Sequence, residues 1–185
     1  DYELALDYLA GSTLRGAFIS EYLRQNPNLE LHEHPVERKR WLEGGVRFLN
    51  GYPADGKKRS YPFPSCFYAD KSDMKLFREN GRLDEPVNIL DDVSGAAGKV
   101  RVKGGFLAED RDGRWRWLET EMQGQLLINL RGERTGLYRY ESIAPGQTFI
   151  AAIALDEEDE ELLKFFLSFT GRKLYLGGSR SNGYG

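Results

Sequence analysis

The chain has 185 residues, of which 40% are hydrophobic and 30% charged, a size and composition that fit one globular domain with or without an elaborate insertion. It contains no apolar run near the roughly 20 residues that span a bilayer, and no recognisable basic-then-apolar signal segment. A lone cysteine, Cys66, excludes an internal disulfide, and two histidines, His32 and His34, offer few metal ligands. We therefore expect a cytoplasmic protein with no membrane partner, metal or cofactor.

One acidic stretch, DEEDEE at positions 156–161, sets the net charge of −3. Removing these six acids changes the balance to +3, so the rest of the chain is mildly basic, with cation clusters at positions 38–40 and 57–59. The charge does not exclude a nucleic-acid partner, because a local basic patch attracts phosphates whatever the mean charge.

The first quarter of the sequence predicts one strand and two helices. Weak alternation over residues 2–6 favours a strand. Apolar side chains at helical spacing predict a helix over residues 13–25, capped by Gly11 and Ser12 and ended by Asn26-Pro27. Residues 35–42 predict a short charged helix.

The middle of the sequence predicts strands around irregular segments. We expect strands at 46–49 and 65–69, separated by a proline-rich extended loop, and an irregular insertion at 74–93. From residue 99 onward short strands dominate, at 100–102, 105–108 and 115–118, with a hairpin turn at 110–113.

The last third predicts strands, a second helix and a glycine-rich loop. Strands at 126–130 and 137–140 flank a turn, and residues 148–155 look like one buried strand. The acidic run begins a helix over 157–169, since acids suit the positive end of the helix dipole, and Gly171 ends it.

The segment GSTLRG at positions 11–16 is the first candidate binding motif. At a helix start, the exposed amides of Gly11 and Ser12 can hold an anion, with a hydroxyl and the Arg15 guanidinium beside them, and Gly11 permits close backbone approach; Gly16 completes the motif. The alternative is a capped helix whose glycine packs on a sheet.

The second candidate is GGSRSNGYG at positions 177–185. Its glycines let successive amides face one phosphate, the arginine adds charge, and the tyrosine offers a stacking face. It matches neither a Walker loop nor a dinucleotide fingerprint, and the alternative is a flexible tail. The candidate RNA-binding residues of this loop are Gly177, Gly178, Ser179, Arg180, Ser181, Gly183, Tyr184 and Gly185.

The two motifs together resemble the RAMP superfamily of CRISPR-associated proteins. The stretches RFLNGYP at 47–53 and PFPS at 62–65 are most like the large RAMP protein of subtype III-D. GLYRYE at 136–141 with GQTF at 146–149 resembles the strand pair before the family's second helix. One departure is Ala10, where the family usually has proline.

The resemblance implies an α+β fold, with a ferredoxin-like (RRM-like) RAMP core and a β-rich insertion at about 50–125. We expect residues 1–185 to form a single domain, truncated at one or both ends. The implied role is a non-catalytic subunit that binds the crRNA guide of a type III effector, near its 5′ tag. The implied partners are crRNA, target RNA, backbone RAMP subunits and the large polymerase-like subunit.

Other residues suggest chemistry but are better explained otherwise. His32 and His34 lie in a polar loop, and Asp7 is too close to Gly11 to match the cleaving aspartate of backbone RAMP subunits, so we assign no catalytic residue. Scattered acids at 70, 73, 91 and 92 are typical of solvated surface.

The alternating aromatics at 115, 117, 138 and 140 favour a sheet core over base stacking, and Cys66 favours a small buried residue. Two alternative functions stay open: a RAMP ribonuclease that cuts target RNA or processes guides, and a protein-only scaffold.

Overall fold

The computed structural model describes residues 2–3, 5–80, 87–102, 104–109, 112, 115–129, 136–156 and 159–177. This part of the chain has a mixed α/β fold with small sheets. In chain order its strands and α-helices are β1 Tyr2–Glu3, α1 Gly11–Gln25, α2 Pro35–Trp41, β2 Arg47–Phe48, β3 Tyr52–Asp55, β4 Lys58–Arg59, β5 Tyr61–Pro62, β6 Phe67–Ala69, α3 Lys71–Asn80, β7 Val87–Asn88, β8 Val100–Arg101, β9 Phe106–Glu109, β10 Trp115–Leu118, β11 Met122–Asn129, β12 Gly136–Ile143, β13 Phe149–Ile150, β14 Ile153–Ala154 and α4 Glu160–Leu167.

The chain divides into two compact units. The helical unit comprises Leu9–Gly51 and Ala151–Gly185, and it contains α1, α2, β2, β14 and α4. The strand-rich unit comprises Asp1–Tyr8 and Tyr52–Ile150, and it holds the remaining elements.

The helical unit has an aromatic core between its helices and one strand pair. Strands β2 and β14 are antiparallel, with Phe48 opposite Ile153. Tyr22, Trp41 and Phe165 come from the three helices and are buried together, and the rings of Tyr22 and Trp41 lie 5.0 Å apart. This apolar contact area fixes the helices, since α1 has only weak amphipathic character along its length.

An ion-pair network joins α2 to the start of α4. The Arg40 Nε atom lies 2.7 Å from Asp159 Oδ2, and its Nη1 atom lies 2.7 Å from Glu37 Oε1. Asp159 is also the N-cap of α4, because its Oδ1 atom accepts a hydrogen bond from the Leu162 amide at 3.2 Å. The acidic run therefore begins a helix as predicted, and α4 ends at Leu167 rather than at residue 169; the predicted start at 157 lies outside the described residues.

The core of the strand-rich unit lies between α3 and the β5–β9–β10 sheet. Phe77 of α3 is fully buried, and its ring lies 5.1 Å from that of Trp117 on β10. The prediction of an irregular insertion at 74–93 is therefore wrong for its first part. Residues 71–80 form a helix, and Met74 and Phe77 give it an apolar face.

Three other sequence predictions are corrected. The proline-rich loop at 51–64 contains three short strands, β3, β4 and β5. Residues 148–155 are not one strand, because Phe149 pairs with Pro53 in the strand-rich unit and Ile153 pairs with Phe48 in the helical unit. Cys66 is half-buried rather than buried.

The long hairpin of the strand-rich unit is formed by β11 and β12, which are antiparallel, with Met122 opposite Ile143. Both strands extend further than predicted. The strand β1 adds to this hairpin, parallel to β12. No helix in the described ranges is long and apolar enough to cross a membrane.

Candidate functional site

The first candidate motif begins α1, and Gly11 is held tightly there. A methyl group at Gly11 would lie 2.2 Å from the carbonyl oxygen of Phe48, so only glycine fits. The Gly11 amide donates a hydrogen bond to Asn50 Oδ1 at 2.8 Å. The predicted cap was wrong, because Ala10 is the N-cap and makes no side-chain hydrogen bond, so the chain after β2 supplies the cap instead.

The first turn of α1 leaves one amide without an internal partner. The amides of Thr13 and Leu14 both donate to the Ala10 carbonyl, at 3.0 and 3.1 Å. No described residue accepts a hydrogen bond from the amide of Ser12, whose side chain is exposed. This amide at the positive end of the helix dipole can therefore bind an anion.

Arg15 and Gly16 lie on the same side of α1 as Ser12, three and four residues further on. The Arg15 Nε atom donates to the Trp41 carbonyl oxygen at 2.9 Å, which anchors the base of the guanidinium. In the described part of the chain its two Nη atoms have no acceptor. They remain able to donate to a ligand.

Gly16 is exposed, and a methyl group built on it would have no atom of the described residues within 4 Å. Packing among these residues therefore does not explain a glycine inside this helix, where it costs roughly 0.5–1 kcal/mol relative to alanine. Ser12, Arg15 and Gly16 form what we call the open face of α1: an unpaired amide, a partly free guanidinium and a surface without side-chain bulk.

The second candidate motif lies mostly outside the described residues. Gly177 has a backbone φ of +94°, and a methyl group at this position would meet no described atom within 4 Å, so the glycine marks a sharp change in chain direction after α4. Seven predicted residues are outside the described ranges: Gly178, Ser179, Arg180, Ser181, Gly183, Tyr184 and Gly185.

The histidines occupy solvent-exposed positions. The His32 Nε2 atom lies 3.5 Å from Glu30 Oε2 and 4.0 Å from Glu33 Oε1, and all three side chains are exposed. These three are the one group of candidate metal ligands found among the described residues. His34 is the N-cap residue of α2. Nothing in this geometry distinguishes them from a solvated loop.

The scattered acids of the strand-rich unit have local structural roles. Asp70 pairs with Lys99 at 3.6 Å, and Asp91 accepts a hydrogen bond from Asn88 at 2.8 Å. Hydrogen bonds from the Ser94 hydroxyl and the Gly95 amide lower the pKa of Asp92. These bonds stabilise turns.

The basic cluster at 38–40 is largely neutralised within the helical unit. Arg38 pairs with Glu43 at 2.7 Å, and Arg40 belongs to the network with Asp159 and Glu37. Burial alone would lower the pKa of Arg40, but the charges of Glu37 and Asp159 outweigh it and raise the pKa above its ordinary value.

The two tryptophans of β10 have different environments. Trp117 is buried, as the alternation predicted, whereas 47% of Trp115 is exposed. The adjacent Tyr61 on β5 is 57% exposed. The sequence interpretation favoured the core for both tryptophans and did not single out Tyr61, although its neighbours at 57–59 are all cations.

One comparison with known proteins gives a match over nearly the whole chain. The family model described as "RAMP superfamily" matches residues 2–185. No curated protein matches the chain.

Proposed function

The chain belongs to the RAMP superfamily, and from this membership we propose that it is a non-catalytic, crRNA-binding subunit of a type III CRISPR effector complex. The family indicates a CRISPR-associated role in RNA binding or RNA processing. Within that range, binding is the function that the arrangement of the described residues supports best.

The open face of α1 carries the proposal. The Ser12 amide and the Arg15 guanidinium lie on one side of the helix start and can both donate hydrogen bonds to a phosphate. Gly16, which follows Arg15, leaves room for a nucleic-acid backbone. Neither group reads a base, so the contact is independent of guide sequence. The loop at 177–185 would add further amides and Arg180 to the same task.

The proposed ferredoxin-like core is supported by the order of elements in the helical unit. A helix, a strand, an antiparallel strand and a later helix occur in this order as α1, β2, β14 and α4, with the short helix α2 added between α1 and β2. This is the central part of a β-α-β-β-α-β arrangement. The larger segment of the strand-rich unit, Tyr52–Ile150, lies between β2 and β14 in the chain.

The finer placement rests on the sequence resemblance to the subtype III-D protein. We propose that the subunit lies near the 5′ tag of the guide in a cytoplasmic complex. Its protein partners would be the large polymerase-like subunit and the backbone RAMP subunits, and the complex as a whole would hold the target RNA.

The test is ultraviolet crosslinking of the purified native complex, followed by mass spectrometry of the crosslinked peptides. We expect the peptides containing Ser12–Gly16 and residues 177–185 to carry nucleotides of the 5′ tag. The same peptides from a complex with Arg15→Ala should yield fewer crosslinks. Crosslinks that join the chain only to other proteins would favour the scaffold alternative.

The ribonuclease alternative needs a separate experiment. The complex is mixed with repeat RNA or target RNA, with and without magnesium, and products are resolved on a denaturing gel. A complex lacking this subunit is the control, because other subunits can cut RNA. Cleavage that disappears only when this subunit is absent or altered at Asp7 or His32 would overturn the non-catalytic role.

A further inference from the structure

The strand-rich unit has an exposed aromatic surface next to its core. In the β5–β9–β10 sheet, Tyr61 lies opposite Leu107, and Leu107 lies opposite Trp117, so their side chains share one face. Trp115 is two residues before Trp117 and therefore faces the same way. The core covers Trp117 but leaves Trp115 and Tyr61 about half exposed.

Arg59 holds the ring of Tyr61 in place. Its guanidinium carbon lies 4.6 Å from the ring centroid of Tyr52 and 5.1 Å from that of Tyr61. Its Nε atom donates to the Ile150 carbonyl oxygen at 3.2 Å. The guanidinium covers one side of the Tyr61 ring, so the exposed part of that ring is its other side and its edges.

The aromatic surface is continuous with a charged one. An apolar depression of about 260 Å³ is lined by Tyr61, Phe63 and Trp115, among others. A neighbouring depression is shared by Lys58, Arg59, Glu109 and the same two exposed rings. Lys57, at the tip of the β3–β4 hairpin, borders a third depression of mixed charge, whose other charged lining residues are Lys58, Arg116, Asp55, Glu109 and Asp112. Arg116 Nη1 lies 2.9 Å from Asp55 Oδ2, so that acid is neutralised within the chain.

These features point to one kind of ligand. A nucleobase has an aromatic face that stacks on Trp115 or Tyr61, and its own phosphate reaches the cations at 57–59. Glu109 lies opposite Trp115 on the neighbouring strand and lines the same depression, where its carboxylate repels a phosphate but accepts hydrogen bonds from the amino groups of a base. An apolar protein segment would fill the apolar depression and leave the charged depressions beside it unused.

We propose that this groove binds an unpaired nucleotide of single-stranded RNA, with its base stacked on Trp115 and Tyr61 and its phosphate towards Lys57 and Lys58. The proposal rests on the proposed RNA-binding function and assigns a second contact to the inserted unit, apart from the open face of α1. Because Arg59 already orders Tyr61, little side-chain freedom is lost on binding.

The experiment uses the full chain and a fluorescein-labelled oligouridine. Binding is measured as the rise in fluorescein anisotropy, which does not depend on Trp115. We expect the unlabelled oligouridine to quench tryptophan fluorescence of the unaltered chain through Trp115, because Trp41 and Trp117 are buried. Trp115→Leu, which keeps apolar bulk without an aromatic face, should weaken binding by roughly 5- to 100-fold. Trp115→Phe should retain most of the affinity, and Lys57→Ala should lower the salt dependence of binding.

Leu90→Ala, at an exposed residue of the same unit, is the control and should bind like the unaltered chain. Two outcomes would contradict the stacking site and leave the proposed function intact. In the first, Trp115→Leu and Trp115→Phe weaken RNA binding equally. In the second, the chain binds RNA and neither substitution weakens binding. If the chain binds no RNA at all, the stacking site and the proposed RNA-binding function both fail. If Trp115→Leu leaves the RNA affinity unchanged but causes the complex to lose a protein subunit, the groove binds a protein partner and not RNA.

Discussion

The amide nitrogen of Gly11 lies 2.8 Å from the Oδ1 atom of Asn50. Because Ala10 has no side chain that can cap α1, the residue two positions after β2 performs that role from across the helical unit. The absence of a side chain at Gly11 is what permits the close approach to Phe48. The start of the helix and the position of β2 therefore depend on each other.

The two glycines at the start of α1 should respond oppositely to alanine. Gly11→Ala forces a methyl group against the Phe48 carbonyl and should lower the free energy of unfolding by about 1–3 kcal/mol or more. The methyl group of Gly16→Ala meets no atom of the described residues, so this substitution should raise the free energy of unfolding by about 0.5–1 kcal/mol. Urea unfolding of both variants measures this, and equal effects at the two positions would contradict it.

Gly16 should matter for RNA although it does not matter for packing. Gly16→Leu places a large side chain on the open face of α1, so we expect weaker retention of guide RNA with little loss of stability. Retention is measured as the ratio of RNA absorbance to protein absorbance in the complex purified at several salt concentrations. Ser20→Leu adds the same side chain one turn further on. If Gly16→Leu and Ser20→Leu lose the same amount of guide RNA, the RNA contacts the length of the helix and not its first turn in particular.

The cap and ion pair of Asp159 should be separable by two substitutions. Asp159→Asn keeps an acceptor for the Leu162 amide but removes the charge that Arg40 requires, and should cost about 1–2 kcal/mol. Asp159→Ala removes both interactions and should cost about 2–4 kcal/mol. Chemical unfolding compares the two. An Asn variant that is no more stable than the Ala variant would show that the cap contributes nothing.

Three of the four α-helices in the described part of the chain, α1, α2 and α4, were predictable from local sequence. Leu14, Phe18 and Tyr22 recur at helical spacing, and α1 was found within two residues of its observed start. Helix α3 was missed because half of its residues are charged, and this polar composition hid the helical spacing of Met74 and Phe77 that gives the helix its apolar face. The position of α3 is decided by the core that those two side chains enter.

The sequence did not reveal features that depend on distant contacts. The role of Gly11 depends on the carbonyl of Phe48, which is 37 residues away along the chain. Trp115 and Trp117 face the same side of β10, yet only Trp117 is buried. Its burial depends on its contact with Phe77 of α3, which no local sequence pattern shows. Likewise, no local signal shows that Phe149 and Ile153 pair in different units.

The role assigned to α3 predicts a large difference between two neighbouring positions. Phe77 is fully buried against Trp117, so Phe77→Ala should lower the free energy of unfolding by about 3–5 kcal/mol. Leu76 is 53% exposed, and Leu76→Ala should change it by less than about 0.5 kcal/mol. Unfolding followed by tryptophan fluorescence measures both. If the two variants have the same stability, α3 does not pack as described.

Tyr22 should make the stability of the helical unit sensitive to alkaline pH. Burial, reinforced by the charge of Glu37, raises the pKa of Tyr22 from 10.0 to about 12, so the folded state favours the neutral phenol. Below pH 10 the phenol is neutral in both states and its contribution is complete. As the pH rises from 10 to 12 the unfolded chain ionises first, and the contribution is lost. The free-energy difference between the unaltered chain and Tyr22→Phe, measured by urea unfolding, should therefore shift in favour of Tyr22→Phe over this interval. Because the other tyrosines titrate in both proteins, a difference that stays constant with pH would show that Tyr22 ionises equally in the folded and unfolded states.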